Sequence, residues 1–305
     1  MAYILLSEAI REFCAWKGFT VKGCSIKGYA YDLRSLCLYL RDPNIANISW
    51  ADLKEYHDRM VQLGWDTNSF VRKFIAYRKF FAYWHQKDPT VLSPAFIPVM
   101  HKEMKPPRVI DEGHYQKLID AIPKNSKDLR EIRNLAMINL LWDTGARNGE
   151  ILSLDLDDLQ LENKKALIKT EKAKLHRVFR EIFWTDGTNS HLKRWIEKRA
   201  EFVKRNNFEG DTKAVFIGVT GLRSGARIQK GGFGEILRRC CDRAGIPRYN
   251  PHSFRHHMGH DIIKKGGTNS DVSNILGHSS LQSSFIYTMM TDKELEQRYR
   301  KFKGG

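Results

Sequence analysis

"LDDLQLENKKALIKTEKAKLHRVFREIFW", residues 156 to 184, is where the hydrophobic spacing of this chain changes. On either side apolar residues recur every three or four positions, as helices require. Here the period shifts, and the stretch reads as two or three short strands joined by tight turns. A single small antiparallel sheet among helices makes the expected fold mainly α. Before it, "DEGHYQKLIDAI" (111–122) and "LREIRNLAMINLLWDTG" (129–145) are helical; after it, so is "TNSHLKRWIEKRAEFVKR" (188–205). "AVFIG" (214–218) reads as one more short strand, and helices return from residue 230.

Further out, "HKEMKPPRVIDE" (101–112) is charged, non-periodic and interrupted by Pro106 and Pro107, which suits an extended linker. The expected organisation is therefore a helical domain over 1–100, a linker at 101–107 and a second domain over 108–305. Four helical patterns fill residues 1–86. Ser7 can cap "EAIREFCAWKG", which Gly18 closes, and Ile26, Tyr29, Leu33, Leu36 and Leu40 space out the second helix. Ser49 can cap the third, which stops at Gly64. The fourth lines up Phe70, Phe74, Tyr77, Phe81 and Trp84 on one face, read as core. Arg72, Lys73, Arg78 and Lys79 lie off that face, either as a solvated surface or as a phosphate-contacting one.

The charge balance favours a polyanionic partner. Lys and Arg total 51 against 35 Asp and Glu, a net charge of +16, and the pI is about 9.6. Residues 1–105 hold 15 basic and 10 acidic side chains, leaving +11 for the rest, so both parts are positive and could hold a duplex between them. The most apolar run, "LAMINLLW" (135–142), falls far short of the roughly 20 residues of a membrane span. The N-terminus lacks a basic leader, so neither secretion nor membrane insertion is expected. Cys14, Cys24, Cys37, Cys240 and Cys241 form no CxxC pair; a reducing cytoplasmic compartment and no metal site are expected.

Several polar residues could carry chemistry. In "YNPHSFRHHMGHDIIKKGG" (249–267), Asn250 is a good N-cap and Pro251 suits the first helical position. His252 and Arg255 then stand side by side in a first turn whose backbone N–H groups favour a phosphate. In "WDTGARNGEILSL" (142–154), Arg147 follows a glycine turn with Glu150 three residues on. That is either a local ion pair or a carboxylate that holds a guanidinium fork for an oxyanion. The turn "KTEKAKLHR" (169–177) offers Lys172 or Lys174 as a proton donor to a departing oxygen. In "LGHSSLQSSFIYTMMT" (276–291), Gly277 ends a short helix that Asn269 or Ser270 can cap. His278 follows in the turn, and Tyr287 comes nine positions later near the end of a last helix.

Two arginines, a lysine, two histidines and a tyrosine, with no carboxylate dyad or metal cluster, fit phosphoryl transfer without a metal. Guanidinium forks stabilise charge on the non-bridging oxygens. A phenol with a pKa of about 10 needs a base or a cationic surrounding to attack. His252 supplies the base or a hydrogen bond, and lysine protonates the leaving 5′ oxygen. The covalent tyrosyl phosphate keeps the bond energy for resealing, so neither ATP nor another cofactor is needed.

In that order, Arg147, Lys172, "HSFRH", "LGHSS" and Tyr287 resemble the tyrosine recombinases, the family of phage integrases and Xer-type enzymes. Arg147 fits the first arginine and Glu150 its acidic companion; His252 and Arg255 fit the HxxR box, His278 the His/Trp position and Tyr287 the nucleophile. Ala146 and Gly149 depart from the family's bulky aliphatic residue and serine. The glycine-flanked lysine turn is absent, so Lys172 is placed by counting back from Arg177, with Lys174 as the alternative. The resemblance implies a SAM-like helical core-binding domain over 1–100 and a catalytic domain over 108–305, in a C-shaped clamp on double-stranded DNA. It further implies protomers paired on inverted half-sites and two such dimers joined as a tetramer. The tail "DKELEQRYRKFKGG" (292–305) would dock on a neighbour through Leu295, Tyr299 and Phe302. A cytoplasmic location on the nucleoid belongs to the same expectation, and whether an accessory protein takes part is left open. The rivals are a type IB topoisomerase-like nicking-resealing enzyme, an inactive DNA-binding relative and a basic RNA- or membrane-surface protein.

Overall fold

The computed structural model describes residues 3–20, 23–103, 108–170, 179–208, 213–277 and 300. The chain divides into two units, Met1–Lys105 and Pro106–Gly305. In the first, α1 (Leu6–Gly18), α2 (Gly23–Leu40), α3 (Trp50–Gln62) and α4 (Thr67–Lys87) enclose one core. The aromatic face of α4 is buried as expected, and Phe80 and Tyr83 join it. Phe80 meets Phe13 of α1 edge-on, with ring centroids 5.5 Å apart, the arrangement that ring quadrupoles favour.

Two expectations in this unit need correction. Ser49 does cap α3, reciprocally with Asp52, but Ser7 does not cap α1, which starts earlier with Leu5 at the cap position. The Ser7 amide and hydroxyl instead donate to the Asp42 carboxylate at 2.7 and 2.8 Å, so an acceptor distant in sequence replaces the local cap. Lys73 lies inside the core, 0% exposed. Its ammonium donates to Ser35 Oγ at 2.6 Å and stands 3.7 Å from Asp32, which also pairs with Arg72 at 2.7 Å. A buried ammonium is tolerated when a buried carboxylate and hydroxyl answer it. Arg78 is spent on the carbonyls of Pro94 and Ile97. Arg72 keeps an exposed side chain, and Lys79 donates to Tyr29 Oη at the surface.

Among its described residues the second unit has α5 (Glu112–Asp120), α6 (Leu129–Thr144), α7 (Asn148–Leu152), β1 (Leu159–Gln160), β2 (Lys165–Lys169), β3 (Phe179–Phe183), α8 (Asp186–Asn206), α9 (Lys230–Arg243), α10 (Pro251–Lys264) and α11 (Asn269–Leu276). Helix α6 is the hub. Leu135, Ala136, Met137, Ile138, Leu140 and Leu141 are all buried, and α8 and α10 pack against it. A helix buried through seven successive residues, Leu135 to Leu141, belongs in a centre. The three strands form an antiparallel sheet in sequence order, with Ala166 opposite Ile182 and Ile168 opposite Arg180.

Segment 214–218 forms no strand, contrary to expectation. It runs through the core, with Ala214, Val215, Phe216 and Ile217 all buried, and makes single bridges, Asp155 with Ala214 and Ile217 with Arg227. Side chains take up its carbonyls: Arg199 Nε donates to Ala214 and Trp195 Nε1 to Val215, each at 2.9 Å. Asn250 caps α10 with Pro251 in the first turn, as read. Thr268, not Asn269 or Ser270, caps α11, paired reciprocally with Asp271. No helix among the described residues is long and apolar enough to cross a membrane.

Candidate active site

Helix α6 ends at Gly145, whose φ of +54° favours glycine. Space demands glycine too: a Cβ there would meet Met258 Cβ and Leu276 Cδ2, each at 2.8 Å. That tight corner brings the end of α6 against α10 and α11 and delivers Arg147 as the N-cap of α7. Glu150, in the first turn of α7, is fully buried. It accepts from the Arg147 amide at 2.9 Å and from the Arg147 guanidinium at 2.8 Å. Only 13% of the Arg147 side chain is exposed, so this is no solvated surface pair.

Arg255 follows from the cap of α10. Its position in the first turn aims it at the same corner, where it donates to Gly145 O at 3.0 Å and Leu276 O at 2.6 Å. His252, one turn earlier, is exposed. Arg147 also reaches the end of α11, with both terminal nitrogens 3.3 Å from Gly277 O. Glu150, Arg147 and Arg255 therefore converge at the end of α11.

A third guanidinium was not singled out from the sequence. Arg180 on β3 donates to Glu150 at 2.9 Å and to Ile275 O at 2.8 Å. The strand "FREIF" turns Arg180 and Ile182 inward and leaves Phe179, Glu181 and Phe183 exposed. The available signal was register: Arg180 shares a face with Ile182 and lies opposite Ile168. Hydrophobicity pointed to the phenylalanines instead.

Three arginines thus address three successive carbonyls, those of Ile275, Leu276 and Gly277. Terminal helix carbonyls lack intrahelical partners and carry the negative end of the dipole, which draws cations. Burial pushes the Glu150 carboxyl up, but the Arg180 charge and the Arg147 bonds outweigh it and hold it below the usual range. Burial, together with the charges of His252, Arg255 and His260, drives the His256 ring down to about 4, so it is neutral at pH 7. His257 is lowered mainly by burial and stacks on Trp142 at 3.9 Å. Lys172, Lys174, His278 and Tyr287 lie outside the described residues, as do Leu295, Tyr299 and Phe302.

Residues 108–294 match the phage integrase family, and residues 23–87 match the N-terminal SAM-like domain of phage integrases. The chain is 27% identical to the tyrosine recombinase XerC of Corynebacterium glutamicum, covering 97% of this chain and 92% of the relative. Among solved structures it is similar to the XerH site-specific recombinase bound to a palindromic difH substrate after cleavage, with a TM-score of 0.75 at 20% identity over 98% and 96% of the two chains. It is also similar to a lambda integrase tetramer bound to a Holliday junction, with a TM-score of 0.68 at 14% identity over 92% and 77%. At these identities the solved structures establish the two-domain, mainly helical fold.

Proposed function

The chain belongs to the phage integrase family, and from that premise we propose that it is a tyrosine site-specific DNA recombinase acting through Tyr287. The observation that carries this reading is a pair of arginines, largely buried Arg147 braced by Glu150 and buried Arg255 by Gly145 O, which hold the adjacent carbonyls of Gly277 and Leu276 at the end of α11, from which the chain runs on to Tyr287. Their forks take the two non-bridging oxygens of one DNA phosphate, where charge grows in the transition state. The Tyr287 oxygen attacks phosphorus, its proton passing to a base for which exposed His252 is the candidate. The 5′ oxygen departs with a proton from Lys172 or, alternatively, Lys174. His278 adds a hydrogen bond to the phosphate. The 3′-phosphotyrosyl bond is then attacked by a 5′ hydroxyl of the partner strand, which returns the tyrosine, so no ATP is consumed.

DNA is the substrate of this reading, and strand exchange needs several protomers. The finer scheme has two protomers on inverted half-sites, a tetramer in synapsis and a tail that docks on a neighbour. A relative named as a recombinase and a fold neighbour, lambda integrase, solved as a tetramer on a Holliday junction support it. Residues 1–100 serve as the core-binding domain, 101–107 as the linker and 108–305 as the catalytic domain, acting on the nucleoid in the cytoplasm. A match across both regions to integrases favours recombination over relaxation by a topoisomerase-like enzyme.

The test is covalent capture. The full chain selects its duplex from a random-sequence pool, and that duplex is nicked beside the cleavage position to trap the adduct. Wild type is expected to form a protein–DNA adduct with a nucleotide remnant on Tyr287, and Tyr287→Phe to bind the duplex without forming one. An undiminished adduct in Tyr287→Phe refutes the assignment.

A further inference from the structure

We infer that Arg180 is a positioning residue for DNA cleavage: one guanidinium ties the carboxylate that orients Arg147 to the end of the helix that leads to Tyr287. The inference rests on the recombinase reading. It goes beyond that reading because neither the motifs nor the proposed proton transfers involve Arg180.

Three guanidiniums hold the end of α11. In the proposed chemistry a phosphate recruits Arg147 and Arg255, and the carbonyls they hold compete with it. The two Arg147 contacts to Gly277 O are long, at 3.3 Å each, and are the easiest to exchange. Arg255 binds two neutral carbonyls, whereas Arg180 is anchored to a buried carboxylate that a phosphate does not displace. Its side chain is 4% exposed, and its two terminal nitrogens are committed, one to Glu150 at 2.9 Å and one to Ile275 O at 2.8 Å. It therefore keeps its hold when the other two turn to the phosphate.

Both ends of that tether matter. Glu150 is also the acceptor for the Arg147 amide and guanidinium, so the Arg180 charge beside it helps keep it ionised and in place. At the other end, Gly277 adopts φ +68°, and a Cβ there would stand 2.7 Å from Arg180 Nε. The arginine lies across the residue where α11 ends, and Tyr287 follows ten residues later in the chain. The planar fork sets the distance between the phosphate clamp and the start of the nucleophile's segment. A lysine ammonium carries the charge without that fork.

The experiment uses the full chain and the selected, nicked duplex, and separates binding from chemistry. Binding is read as Kd, and cleavage as the first-order rate of adduct formation at saturating duplex. Arg180→Met is expected to keep its Kd within about twofold while adduct formation slows about 100-fold, the scale expected when reacting groups are misplaced by about 1 Å. Arg180→Lys is expected to recover part of that rate, and Gly277→Ala to slow it as well. If Arg180→Met does not fold, Arg180→Lys carries the test, with a rate below wild type at unchanged Kd as the expected result. Wild-type adduct rates in both Arg180 variants would overturn the inference and leave the recombinase reading intact. So would a loss confined to melting temperature and Kd, the mark of a purely structural arginine. If wild type itself forms no adduct through Tyr287, the recombinase reading fails first and the positioning role falls with it.

Discussion

At Glu150, a fully buried carboxylate accepts from Arg147 and Arg180 and from the Arg147 backbone amide. Burying a lone carboxylate costs several kcal/mol, and two guanidiniums with a backbone donor offset that cost. The same arrangement limits how Arg147 can move, leaving its fork edge toward Gly277. Arg255 is held as narrowly, between two carbonyls from different elements. Two-point geometry is the reason lysine is a poor replacement at either position. Arg147→Lys and Arg255→Lys are each expected to lower the single-turnover cleavage rate by about 100- to 1,000-fold, on the scale of losing a fixed oxyanion donor. Rates near wild type would return these residues to packing roles. The Arg147–Glu150 spacing was legible because partners three apart in a helical turn lie on one side. Arg180 was not, because a strand pairs its residues with positions distant in sequence.

Among elements, the junction of α6, α10 and α11 depends on left-handed glycines at the ends of two helices. Gly145 closes α6 and Gly277 closes α11, each with positive φ. Both face atoms of the site at less than van der Waals distance from a would-be Cβ. Gly145→Ala combines left-handed strain with a clash against Met258 and Leu276. It is expected to destabilise the second unit by about 2–4 kcal/mol, read from the urea midpoint of that unit's transition. An unchanged midpoint would mean that α10 and α11 can move apart at little cost. The caps of α3 and α10 could be read directly, since Ser49 and Asn250 act within their own turn. The start of α1 could not, because Ser7 answers to Asp42, a residue 35 positions away.

For the whole molecule, a net charge of +16 sets the terms of association with DNA. The logarithm of the binding constant is expected to fall linearly with the logarithm of salt concentration, as counterions are released from phosphates. Lys73 gives this a sharp check, since its ammonium is answered by Ser35 and Asp32 within the core. Lys73→Met is expected to leave the slope of log K against log salt unchanged while altering the stability of the first unit. A slope smaller by about 1 would instead place Lys73 at a phosphate. Of the four basic residues of α4 read as a solvated or phosphate-contacting face, Arg72 and Lys79 keep exposed positions.

The sequence by itself determined the helical and strand periods, two of the expected caps, and the ordered residues that mark the family. Each of these is written in neighbours a few positions apart, where local spacing and turn chemistry act. The tertiary structure alone decided that Lys73 is interior, that segment 214–218 is fastened by side chains, and that Arg180 faces inward while two phenylalanines face out. Those outcomes depend on partners 15 to 95 residues away in the chain. A charged side chain is buried only where folding supplies its counter-groups, and no local pattern announces where they will be.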